Sequence, residues 1–194
     1  MAVTSAQLRL HLLAHAPTRA QHETRFPAPD DAIEPIHAPQ VARLAERVVA
    51  CQPVWCAPER RAIETAEALG ISPTPTELLR AWSAGIWTGR SLVDITEHDP
   101  TGFEAWRTDP TAAPPDGESL SALLARTATW VDAQSSLAGR ALVIADPAVI
   151  RAIVVHVLQA PPRTFWRFDI PPLSLSIVQH ASHQWRLRHL VLQD

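Results

Sequence analysis

The apolar pattern along the chain changes period several times, and each change predicts an element. "LRLHLLA" (Leu8 to Ala14) is a short, nearly continuous apolar run, as expected of a strand buried on both faces. "PVWCA" and "RALVIAD" repeat that pattern and predict two more strands. "PQVARLAERVVAC" places Val41, Leu44, Ala45, Val48 and Val49 at helical spacing. "PERRAIETAEALG" opens with Pro58 and Glu59 and closes at Gly70, a helix with both ends marked. "GESLSALLARTATWVDAQ" predicts an amphipathic helix, and "PAVIRAIVVHVLQA" a helix with Pro147 in its first turn. "LSLSIVQH" and "QWRLRHLVL" alternate apolar and polar residues and predict a closing hairpin. Residues 15–38 are polar and proline-rich and read as a long loop, while 72–117 mix short elements.

Three strand-to-helix units imply a largely parallel sheet, hence a three-layer α/β/α sandwich. The 194 residues fit one domain over 1–194. In such sheets, ligands bind beyond the carboxyl ends of the strands. That rule alone selects His15 after the first strand, Arg60 and Arg61 at the helix after the second, and Asp146 after the third.

Composition narrows the function classes. The chain is 46% hydrophobic and 19% charged, with net charge -3 and no lysine. No basic stripe is present, so no nucleic-acid partner is expected. No apolar run approaches a membrane span, and no charged N-terminal segment precedes an apolar core as in a secretory signal. Cys51 and Cys56 lie in apolar surroundings and do not form a CxxC pair; they read as reduced core cysteines of a cytoplasmic protein. Eighteen prolines against six glycines predict stiffened loops.

Five segments, in order, resemble the histidine phosphatase superfamily, the phosphoglycerate mutase-like fold. "LLAHAPT" is similar to Leu-x-Arg-His-Gly-x-Thr. "CAPERRAIETAEAL" resembles Ser-x-x-x-Arg-Ala-x-x-Thr-Ala, and "LLRAWSAGIWTGRSL" resembles Leu-x-Glu-x-x-x-Gly-x-Trp-x-Gly. "PPDGESLSALLAR" is similar to a Gly-Glu-Ser helix start, and "ALVIADPAVIRAIV" to Val-x-Val-Ser-His-Gly-x-x-Ile-Arg. The resemblance implies a phosphate held by two histidines and two arginines, a histidine that becomes a phosphohistidine, and a carboxylic acid that protonates the leaving oxygen. It also implies a substrate lid at about 91–110.

Carried over by position, the nucleophile is His15, the second arginine is Arg61, and Thr18 is kept. The first arginine is replaced by Ala14, the acid by Ala81, and the second histidine by Asp146. Three of five chemical positions have therefore changed within an intact set of scaffold motifs. Ala14 removes a bidentate guanidinium. Asp146 sets a carboxylate against a phosphate, a repulsion of roughly 4 kcal/mol at 4 Å and an effective dielectric of about 20. Ala81 removes a group that contributes about 10² to 10⁴ in rate.

The expectation is a non-catalytic or impaired member that binds a small molecule or a protein partner in the former phosphate pocket. Two alternatives stand beside it. His15 and Asp146 form an acid–base pair for a non-phosphorylated substrate, or His15 still supports weak phosphomonoesterase turnover, with Arg19 from the loop in place of the lost arginine. Trp82 is expected to face the cavity, and Trp106 to belong to the lid. Glu118 and Ser119 read as a helix cap. No cofactor and no metal are expected. His11 and His15 lie roughly 13 Å apart along a strand and cannot share an ion, which leaves His15, Asp146 and His22 as a weaker ligand set. A homodimer is left open.

Overall fold

The structure is a computed structural model, and it describes residues 7–192. Strand β1 (Leu8–Ala14) is buried at every residue but Arg9. A one-turn helix, α1 (Arg19–His22), and α2 (Ala38–Val48) lead to β2 (Val54–Cys56). Helix α3 (Arg60–Ala68) and a two-residue strand, β3 (Thr74–Pro75), follow. Helices α4 (Leu92–His98) and α5 (Pro100–Thr108) occupy the segment where a lid is expected. Then come α6 (Leu120–Ala133), β4 (Gly139–Ala145) and α7 (Pro147–Val157). The hairpin β5 (Leu175–Ala181) and β6 (Gln184–Leu192) closes the order.

The strands form one mixed sheet in the order β3-β2-β4-β1-β5-β6. The pairings from β3 to β1 are parallel, and those of β5 are antiparallel. Helix α3 packs over β2 and β4, while α7 packs on β1 and α6. This is the α/β sandwich that the strand–helix alternation predicts. β1 and β4 sit in the middle of the sheet and, beyond their first two residues, are buried on both faces. Leu10, Leu12, Leu13 and Ala141 to Ala145 are all fully buried, so these strands read as continuous apolar runs.

Register positions the site. Ala14 lies opposite Ala145 in the parallel β1–β4 pair, and the His15 N–H donates to the Ala145 carbonyl at 3.1 Å. The next residues, His15 and Asp146, therefore leave the carboxyl edge of the sheet side by side. Pro147 starts α7, and the Asp146 carboxylate caps it by accepting from the Ala148 N–H at 2.9 Å. No helix among the described residues is long and apolar enough to cross a membrane.

Candidate active site

His15 is 1% exposed, and its ring is held by a hydrogen bond at Nδ1. Nδ1 donates to the Ala16 carbonyl at 2.7 Å, which turns Nε2 toward Asp146 Oδ2 at 3.5 Å. The Arg61 side chain, 2% exposed, donates through Nη2 to the same oxygen at 3.3 Å and through Nη1 to the Ala28 carbonyl at 2.9 Å. Asp146 Oδ1 is taken by the Ala148 N–H. Burial pushes the Asp146 carboxyl up, but the close approach of His15, the Arg61 charge and the Ala148 N–H outweigh it. The carboxyl is held well below the usual carboxylate range and is ionised at neutral pH. The site is loose all the same. His15 Nε2, Arg61 Nε and Thr18 Oγ1 are buried without a hydrogen-bond partner, and the 3.5 Å His15–Asp146 approach is a charge contact longer than a good hydrogen bond.

The other predicted residues divide. Ala14 ends β1, fully buried, and Thr18 is buried ahead of α1. Arg19 does not join them. It is 82% exposed and pairs with Glu23 at 2.6 Å, the i,i+4 partner that α1 provides once the loop folds into a helical turn. Ala81 is fixed at its backbone: its N–H donates to Glu59 Oε1 at 2.8 Å, and its carbonyl accepts from Arg126 Nη2 at 3.2 Å. Trp82 follows, its indole N–H donating to the Glu118 carbonyl at 2.8 Å.

Three residues, Glu118, Thr65 and Glu59, carry roles the sequence reading missed or misplaced. Ser119 alone caps α6, accepting from the Ala122 N–H at 3.2 Å. Glu118 is instead buried in a bidentate pair with Arg126, at 2.6 and 2.9 Å, so the cap expectation is corrected for it. Thr65 pins the His15 turn to α3: its hydroxyl accepts from the Ala16 N–H at 2.9 Å and donates to the Arg61 carbonyl at 2.6 Å. The Thr-Ala of the α3 motif was the available signal, and the role of Glu59 had none.

His22 is 64% exposed and bonded to Glu34 at 3.0 Å, apart from His15 and Asp146. Among the described residues, no cluster of three or more His, Cys, Asp or Glu is arranged to hold a metal ion. Cys51 and Cys56 are free and buried. Burial, with the nearby Glu59 charge, pushes the Cys56 thiol up to about 11, so it stays protonated.

Beside Asp146 opens a cavity of about 190 Å³, walled by Phe26, Trp82, Trp106, Phe165 and Trp166. Trp82 and Trp106 stack at 4.8 Å, while Phe165 meets Trp82 edge-on at 5.4 Å and Trp166 meets Trp106 edge-on at 5.2 Å. Trp106 lies on α5, so the segment expected as a lid is anchored to this wall through the cluster of Ala84, Trp87, Ile95 and Trp106. Arg151 also lines the cavity; it lies 5.7 Å over the Phe165 ring and pairs with Asp169.

His15 and Arg61 meet at the carboxyl edge of a mostly parallel sheet, the edge at which an α/β fold binds its ligands. The model of the histidine phosphatase superfamily (branch 1) matches residues 10–193, and the chain belongs to that family. Solved structures agree on the fold. Mycobacterial glucosyl-3-phosphoglycerate phosphatase is 24% identical with a TM-score of 0.81, over 96% of this chain and 100% of that one. YhfR of Bacillus stearothermophilus is 22% identical with a TM-score of 0.84, over 94% and 96%. The alpha-ribazole phosphatase of Shigella flexneri is 19% identical with a TM-score of 0.77, over 94% and 95%. No curated protein matches the chain.

Proposed function

We propose that this histidine phosphatase family member does not turn over phosphomonoesters and instead binds a small molecule in a pocket whose phosphate end is closed by Asp146. One observation carries the reading: Asp146 Oδ2 stands 3.3 Å from Arg61 and 3.5 Å from His15, taking the contacts a phosphoryl oxygen would need. An incoming dianion meets a fixed carboxylate, with a repulsion of roughly 4 kcal/mol at 4 Å and an effective dielectric of about 20. No side chain at Ala81 can protonate a leaving group; the nearby Glu59 accepts from the Ala81 N–H through Oε1, and its Oε2 is buried without a hydrogen-bond partner. The free, buried cysteines support a reducing, cytoplasmic setting.

A second reading rests on the His15 ring. With Nδ1–H held by Ala16, Nε2 is the atom left to exchange a proton beside Asp146. That pair would act as a base on a substrate without phosphate, and His15→Ala would abolish such turnover.

The test is steady-state hydrolysis of 4-nitrophenyl phosphate by the native protein and by the combined Ala14→Arg, Ala81→Glu, Asp146→His variant. The native protein is expected at the blank rate, with turnover appearing in the variant. Native turnover at ordinary enzyme rates would overturn the proposal.

A further inference from the structure

The Asp146–Arg61 pair is oriented. The guanidinium end is 2% exposed and lies inside the fold, while the carboxylate end is 16% exposed and lines the aromatic cavity. A ligand in that cavity therefore meets the negative end of the pair. Around it stand rings set in two directions: Trp82 and Trp106 are 30° apart, whereas Trp166 lies at 75° to Trp106 and Phe165 at 80° to Trp82. Electron-rich ring faces attract cations, most strongly where water is excluded. One such contact already exists in the wall, Arg151 over Phe165 at 5.7 Å, and Asp169 pairs that guanidinium. A volume of about 190 Å³ suits a compact group of a few heavy atoms and is too small for an extended ligand.

We propose that the cavity between Asp146 and the Trp82–Trp106–Trp166 wall binds a small organic cation, of the alkylammonium or quaternary ammonium class. This rests on the closed-pocket reading above, since a free anion site at His15 and Arg61 would require Asp146 to move away. The charge preference of the site is then the reverse of that of a phosphate pocket. Asp146 supplies the negative end of its pair with Arg61, and Trp82, Trp106 and Trp166 supply the aromatic wall. Trp166, 39% exposed, is the most exposed ring of the wall.

The test titrates the native protein with choline, with its neutral carbon isostere 3,3-dimethylbutan-1-ol, and with inorganic phosphate, read by tryptophan fluorescence and calorimetry. Choline is expected to bind saturably, the isostere at least about tenfold more weakly, and phosphate not at all. Asp146→Asn should weaken choline by about tenfold or more and leave the isostere unchanged. Because that variant also disturbs Arg61, Trp166→Leu serves as a second arm and should weaken choline more than the isostere. Equal binding of choline and isostere, or no choline binding by a folded protein that also ignores phosphate, overturns the cation assignment alone. Phosphate binding that is lost in Arg61→Ala overturns the closed-pocket reading and this inference with it.

Discussion

Replacing Asp146 by alanine would leave Arg61 with a carbonyl on Nη1 and no counter-charge on Nη2. Breaking a fully buried pair costs about 3–5 kcal/mol; the 16% exposure of Asp146 brings the expected loss to about 2–3 kcal/mol. Phosphate should then raise the melting temperature of Asp146→Ala and leave the native protein unmoved. The acid limb gives a second readout. The folded carboxyl lies below its unfolded value of about 3.9, so its contribution is complete above that pH and is lost as pH falls through the folded value. The difference in stability between native protein and Asp146→Ala, measured by urea unfolding, should shrink steadily below about pH 4. A constant difference would show that the carboxylate has no such linkage. His15, Arg61 and Asp146 were legible because each sits at a strand end or helix start. Thr65 was marked only by its motif, and the partners of Glu59 and Thr65 were not legible, since they lie 22 and 49 residues away and depend on packing.

At the scale of elements, the wall beside the cavity depends on one glycine. Gly85 has φ +53°, and a Cβ there would lie 2.0 Å from the Pro115 carbonyl oxygen. The loop 115–117 therefore closes directly on the segment that carries Trp82. Gly85→Ala combines a strained backbone with a clash and should cost at least about 2 kcal/mol. Thermal unfolding checks the loss, and near-ultraviolet circular dichroism should show disturbed tryptophans. A native-like melting temperature would mean that the loop yields freely. The long elements were readable from periodicity: β1 matches Leu8 to Ala14 residue for residue, and β4 lies within a residue of its expected span. The short ones were not. β3 is two residues paired to β2, and α1 is a single turn with the Thr18 N–H donating to Gln21 Oε1 at 3.1 Å. Neither is long enough to carry a period.

On the scale of the whole molecule, the sheet brings residue 15 and residue 146 together whatever side chains they carry. Parallel β1–β4 register fixes that meeting, and Thr65 holds the turn that follows. The architecture is thus that of the histidine phosphatase superfamily, and in the proposed reading the side chains at 14, 81 and 146 decide whether the pocket takes a phosphoryl group or a fixed carboxylate. The aromatic wall was only partly legible. Trp82 and Trp106 were marked by their motifs, but Phe26 and Trp166 reach the cavity from segments 56 residues before Trp82 and 84 after it, as their sequence numbers show.

The central claim is that His15 no longer takes a phosphoryl group, and phosphohistidine trapping tests it most directly. The native protein is incubated with a reactive, labelled phosphoryl donor, quenched in alkali and digested, and the peptide carrying His15 is analysed. No label above that of His15→Ala is predicted, and the combined Ala14→Arg, Ala81→Glu, Asp146→His variant should become labelled. Stoichiometric phosphorylation of His15 in the native protein would contradict the account and restore the chain as a working phosphatase.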